Sequence, residues 1–137
     1  MRRNPRTVVF LLLALAAVAF LAGCASAPAE IPQGLTAAEV FQHAQDAVDK
    51  TDYALALRYY ATVKSAYPDD LTHVVWADYE IAFLDHKLGK NAEALALINE
   101  MLDTYKDSWD TLPPETSAPR VLAEKLQTRL QALLPKK

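Results

Sequence analysis

Ala56, Leu57, Tyr60, Val63 and Tyr67 recur as Ala94, Leu95, Ile98, Met101 and Tyr105, each pair 38 positions apart (94 − 56). Within both stretches the apolar residues fall three and four positions apart, which is the spacing of one helix face. A unit of this length can hold two helices and a turn. A pair of helices that repeats cannot bury its apolar face alone, so the repeat predicts helix pairs stacked side by side.

The rest of the chain fits five helices, with no stretch alternating as a strand would. Thr36-Ala-Ala-Glu39 has the form of a capping box and opens the first helix, with Val40, Ala44, Ala47 and Val48 apolar. Lys50-Thr51-Asp52 breaks the pattern, and Asp52 can cap a second helix over 53–66. The third runs over 72–88, its face made by Val74, Ala77, Ile81, Leu84 and Leu88, and Gly89 stops it. Asn91 is the expected cap of a fourth helix over 92–105. After a loop containing Pro113-Pro114, a fifth spans 119–134, with Val121, Leu122, Leu126, Leu130 and Leu133 or Leu134 as its stripe.

The first two dozen residues read differently. Arg2, Arg3 and Arg6 precede an uncharged apolar run over 7–22, the form of an export signal and short for a permanent membrane span, which needs about 20 apolar residues. The run ends in Leu21-Ala22-Gly23-Cys24, holding the chain's single cysteine. This segment resembles the lipobox of bacterial lipoproteins. The resemblance implies cleavage between Gly23 and Cys24 and a diacylglycerol with acyl chains on the Cys24 thiol, with no other cofactor. At ~0.8 kcal/mol per buried methylene, two or more chains hold a protein on a bilayer. Ala25 is not the aspartate that in this family retains lipoproteins on the inner membrane. The implied location is therefore the cell envelope, on the periplasmic face of the outer membrane where the host has two membranes. Pro28 and Pro32 make residues 24–35 a lipidated cysteine with an extended tether, and residues 25–35 reach at most about 36–40 Å. The expected organisation is thus 1–23 signal peptide, 24–35 tether and 36–137 helical domain.

Charge narrows the partners. From residue 24 onward, 11 lysines and arginines face 17 acids, a balance of −6. That argues against nucleic acid, which needs basic surface. One cysteine allows no internal disulfide, so the domain must rest on its apolar core.

The helix pairs resemble the tetratricopeptide repeat (TPR). Ala44 and Ala82 take its small position in the first helix, Lys50 to Tyr53 and Leu88 to Asn91 its turn, and Ala56 and Ala94 its close-approach position. Asp78 and Asp85 depart from the pattern, where the family has large apolar residues, and Lys106 stands for its closing proline. The longer period is similar to that of envelope TPR lipoproteins of the BamD and Tol-Pal-associated types. The implied fold is all-α: two TPR-like antiparallel helix pairs plus a C-terminal capping helix, a short right-handed α-solenoid. An array this short is expected to draw stability from a partner or from a homo-oligomer.

The resemblance also implies a partner-binding surface on the first helix of each pair: Phe41 and Gln45, then Trp76, Tyr79, Phe83, His86 and Lys87. The three aromatics at i, i+3 and i+7 are either a second buried stripe, covered by the first and fifth helices, or an exposed groove. The carboxylate clamp of chaperone TPRs would need Lys and Asn where Phe41 and Gln45 stand. His43, His73 and His86 lack metal spacing, Asp46, Asp49 and Asp52 lack calcium-loop spacing, and nothing marks a nucleophile. The expectation is not an enzyme but a membrane-anchored TPR scaffold for an envelope protein partner. The alternative is a periplasmic ligand-binding accessory of a transport system, using an aromatic pocket.

Overall fold

The computed structural model describes residues 30–134. The signal-like segment, Gly23 and Cys24 lie outside the described residues. Among those described there are five α-helices, one 3-10 turn and no strand. They are α1 (Ala37–Asp49), α2 (Tyr53–Ala66), α3 (Leu71–Lys87), α4 (Asn91–Tyr105) and α5 (Ser117–Leu133), the 3-10 turn Pro114–Thr116 preceding α5.

Helix α1 starts where the capping box predicts. The Thr36 hydroxyl accepts from the Glu39 amide at 3.3 Å, and the Thr36 amide donates to the Glu39 carboxylate at 2.7 Å. Two amides that no helical carbonyl can reach are thereby satisfied. Ala37, Val40, Ala44 and Ala47 form the buried face. Asp52 caps α2 and Asp70 caps α3, each carboxylate accepting from the amide three residues on.

The two α-hairpins turn in the same way, bond for bond. After α1, the Thr51 amide donates to Val48 and the Asp52 amide to Ala47, both at 2.9 Å. After α3, the Gly89 amide donates to His86 at 3.0 Å and the Lys90 amide to Asp85 at 2.9 Å. This is a Schellman ending, and it needs a left-handed residue at its centre. Gly89 supplies it with φ +80°, while Thr51 adopts φ +58°. The repeat is therefore present in the backbone as well as in the side chains.

Helix α1 packs on α2 and α3 on α4, while α2 meets α3 and α4 meets α5. Ala44, Ala56, Ala82 and Ala94 are fully buried, and such small side chains let the paired backbones approach. Two apolar clusters result. Val40, Ala56, Tyr60 and Val63 make the first with Val74, Ala77 and Leu84 of α3. Val75, Tyr79 and Ala82 of the same helix join Ala94, Ile98, Met101, Leu126 and Leu130 in the second. Helix α3 thus belongs to both cores.

The departures from the family pattern have local reasons. Asp78 accepts from Lys64 Nζ at 2.6 Å and from the Tyr105 hydroxyl at 2.9 Å, so it ties α3 to both neighbours. Asp85 holds Lys90 at 3.2 Å across the turn.

Four expectations are corrected. Asn91 is not a cap: Lys90 holds that position without a side-chain bond, and Asn91 Oδ1 meets the His86 ring at 2.7 Å. Leu88 is 45% exposed, because α3 ends at Lys87 and turns away from the core there. The buried face of α5 is Pro119, Ala123, Leu126 and Leu130. Val121, Leu122 and Leu133 are 45%, 36% and 56% exposed, since α5 packs only on α3, α4 and the 3-10 turn and needs one narrow stripe. Helix α5 also begins at Ser117, so Pro119 is its third residue, still in the first turn where no amide is required.

Candidate functional site

Phe41 and Gln45 are one turn apart on α1, and Thr72, Trp76 and Glu80 repeat at i, i+4 and i+8 on α3. With His73 and Glu115 they line one open concavity of about 440 Å³. Helices α1 and α3 form its long walls, and the 3-10 turn places Glu115 at its side. Phe41 is half-buried and stands edge-on to the Tyr60 ring at 5.2 Å between centroids. Its other neighbour is the His73 ring, at 5.6 Å. His73 is in turn held by Asp70, ring nitrogen to carboxylate at 2.9 Å. Burial alone would raise the Asp70 carboxyl, but the ring and amide of His73 outweigh it and hold the group below its usual range.

Gln45 and Glu80 give the groove a polar lining beside the buried Tyr60. The Gln45 amide donates to the Tyr60 hydroxyl, joining α1 to α2. Burial pushes the Tyr60 phenol well above its ordinary value, and the negative charges of Glu80 and Asp49 push it further. Burial likewise raises the Glu80 carboxyl. Hydrogen bonding from Gln45 and the positive charge of Lys87 draw it back only in part. Glu80 is thus a partly desolvated acid on a wall that also carries Trp76.

Of the residues expected at a binding surface, Phe41, Gln45 and Trp76 come together here. The others do not. Tyr79 is 8% exposed and belongs to the second core, stacked on Phe83 at 5.8 Å. Phe83 is half-buried against the same core, with Lys87 Nζ 5.3 Å above its ring and 5.7 Å from that of Tyr53. His86 belongs to the turn through its bond to Asn91. Thr72, His73, Glu80 and Glu115 were not expected at the groove. The four-residue step from Trp76 to Glu80 is a signal that could have found Glu80. Glu115 has none, because a loop places it.

Two other concavities occur among the described residues. One, of about 280 Å³, lies between α2, α3 and α4, and of its two acids, Asp78 and Glu100, Asp78 is already held by Lys64 and Tyr105. The other, of about 310 Å³, sits at the α1–α2 turn beside His43 and Tyr59, whose rings stack at 5.5 Å. Among the described residues, no three His, Cys, Asp or Glu side chains gather so as to hold a metal ion. No described helix is long and apolar enough to cross a membrane.

No family model matches the chain. No solved structure matches it either. It is similar to a protein of Treponema pallidum (strain Nichols) described as "Uncharacterized protein", at 32% identity over 104 residues. Those residues are 74% of this chain and 42% of that protein, so the chain spans less than half of that relative's length.

Proposed function

We propose that the chain is a lipid-anchored envelope scaffold that docks a protein partner in the α1–α3 groove. The observation that carries this reading is the concavity itself: Phe41, Gln45, Trp76 and Glu80 converge from the first helix of each hairpin. That is the surface on which TPR-like arrays hold their partners. The two hairpins are read as a pair of TPR-like repeats in a short right-handed solenoid, with α5 as terminal cap. Supporting this are the shared Schellman turns and the buried alanines at matching positions. The anchor is read from Leu21-Ala22-Gly23-Cys24 behind its apolar run, with Cys24 as the lipidated residue of the mature chain. Signal, tether and scaffold then occupy residues 1–23, 24–35 and 36–137, and the place of action is the cell envelope.

Site-specific photo-crosslinking in intact cells tests the groove. A crosslinker at position 76 should give a discrete adduct with an envelope protein, and one at exposed Asn99 on α4 should not. The same pattern of adducts at both positions, or none at 76, overturns the reading. The groove's volume also lies within the ~300–1,000 Å³ range of small-molecule sites. That favours a second reading, a ligand-binding accessory, for which native mass spectrometry should show a co-purified small molecule.

A further inference from the structure

The acids of this protein are not all treated alike. Asp78 and Asp85 each hold a lysine, and Asp70 holds a histidine ring. Glu80 and Glu115 form no ion pair with any described residue, yet both line the groove. The groove lining contains no lysine or arginine. Lys87, whose charge reaches Glu80, is engaged over the Phe83 and Tyr53 rings. Two carboxylates without a direct ion-pair partner among the described residues therefore stand beside two half-buried aromatic side chains, Phe41 and Trp76, with Lys87 acting on Glu80 only at a distance.

That combination selects a cation with an apolar body. A carboxylate binds it by charge-assisted hydrogen bonds, and an aromatic face binds it through the ring quadrupole. Guanidinium suits such a place better than ammonium, because it is planar, less strongly hydrated and able to stack while it donates. The structure offers an internal example: the Arg120 guanidinium lies 5.3 Å over the Trp109 ring.

We propose that the α1–α3 groove takes an arginine side chain of the partner protein, its guanidinium meeting Glu80 and Glu115 and its flat face lying on Trp76 or Phe41. This rests on the groove being a partner-docking surface. It goes further by stating which partner chemistry fits: a basic segment and not an acidic or wholly apolar one. The partial desolvation of Glu80 agrees with it, since an arriving cation favours the ionised form that burial disfavours.

The test uses the full chain in detergent micelles and two blocked pentapeptides, Gly-Ser-Arg-Ser-Gly and its citrulline counterpart. Citrulline keeps the shape and loses the charge. The reporter is the Trp76 indole resonance, assigned by Trp109→Phe. The arginine peptide should shift it saturably and bind at least tenfold tighter than the citrulline peptide. Glu80→Gln should lower arginine affinity at least fivefold and leave citrulline binding unchanged, with helix content preserved. Glu115→Gln, in an exposed position, should lower it in the same direction. Equal binding of the two peptides, no shift with either, or full arginine affinity in both variants overturns the proposal. A partner adduct at position 76 without arginine preference removes this inference and leaves the scaffold reading standing. Arginine preference without an adduct keeps the groove's guanidinium chemistry and overturns its assignment to a protein partner.

Discussion

Two residues carry conformations or charges that cost stability. Thr51 and Gly89 do the same task in equivalent turns, but a β-branched side chain in the left-handed region is strained. No atom lies within 4 Å of a Cβ added at Gly89, so a substitution there reads backbone strain alone. Gly89→Ala should therefore cost about 1 kcal/mol in urea unfolding. Thr51→Gly should be neutral to stabilising by up to about 1 kcal/mol, strain relief opposing the entropy of an added glycine. Glu80 shows the second kind of cost. Its folded-state pKa is raised, so the folded chain binds more protons than the unfolded one between the ordinary glutamate value and the raised one. Stability from this group is then greatest at low pH and is lost as pH rises through that window. Glu80→Gln should raise the melting temperature at neutral pH, and the gain should shrink as pH falls below the ordinary glutamate range. A gain that instead grows on acidification would contradict the assignment.

Helices were more legible than their faces. Thr36-Ala-Ala-Glu39, Asp52 and Gly89 are local signals whose partners lie within a few residues; α1 and α2 begin, and α3 ends, close to where those signals place them. The face of α5 was readable only in part: Leu126 and Leu130 are buried as expected, but the neighbouring large apolar residues satisfy more than one stripe and only packing selects among them. The structure selects Ala123, Leu126 and Leu130. Leu126→Ala should accordingly cost about 2–5 kcal/mol, against less than about 0.5 kcal/mol for Leu122→Ala, measured by chemical denaturation. Similar losses at both positions would place α5 in the wrong register. The 3-10 turn was also invisible in sequence. Thr116 is 2% exposed there and donates to the Pro113 carbonyl at 2.7 Å, a bond that neither periodicity nor composition announces. That turn is what brings Glu115 to the groove, so half of the groove's acidic pair was hidden with it. On the groove's α1 and α3 walls, Phe41, Gln45 and Trp76 were expected through the resemblance to TPR helix pairs, which pointed equally to Tyr79, Phe83, His86 and Lys87, side chains that packing directs elsewhere.

At the scale of the molecule, α3 joins the two halves, since its side chains enter both cores. The α1–α3 groove is built on that shared helix. In the proposed function, Cys24 holds the chain on a membrane and the groove meets its partner there. Fractionation of cells carrying a crosslinker at position 76, in the parent and in Cys24→Ala, tests both parts together. The parent should sediment with membranes and form its adduct, while Cys24→Ala should keep its helix content, leave the membrane fraction and lose most of the adduct. A Cys24→Ala chain that stays on the membrane, or one released from it with the adduct undiminished, would contradict the account.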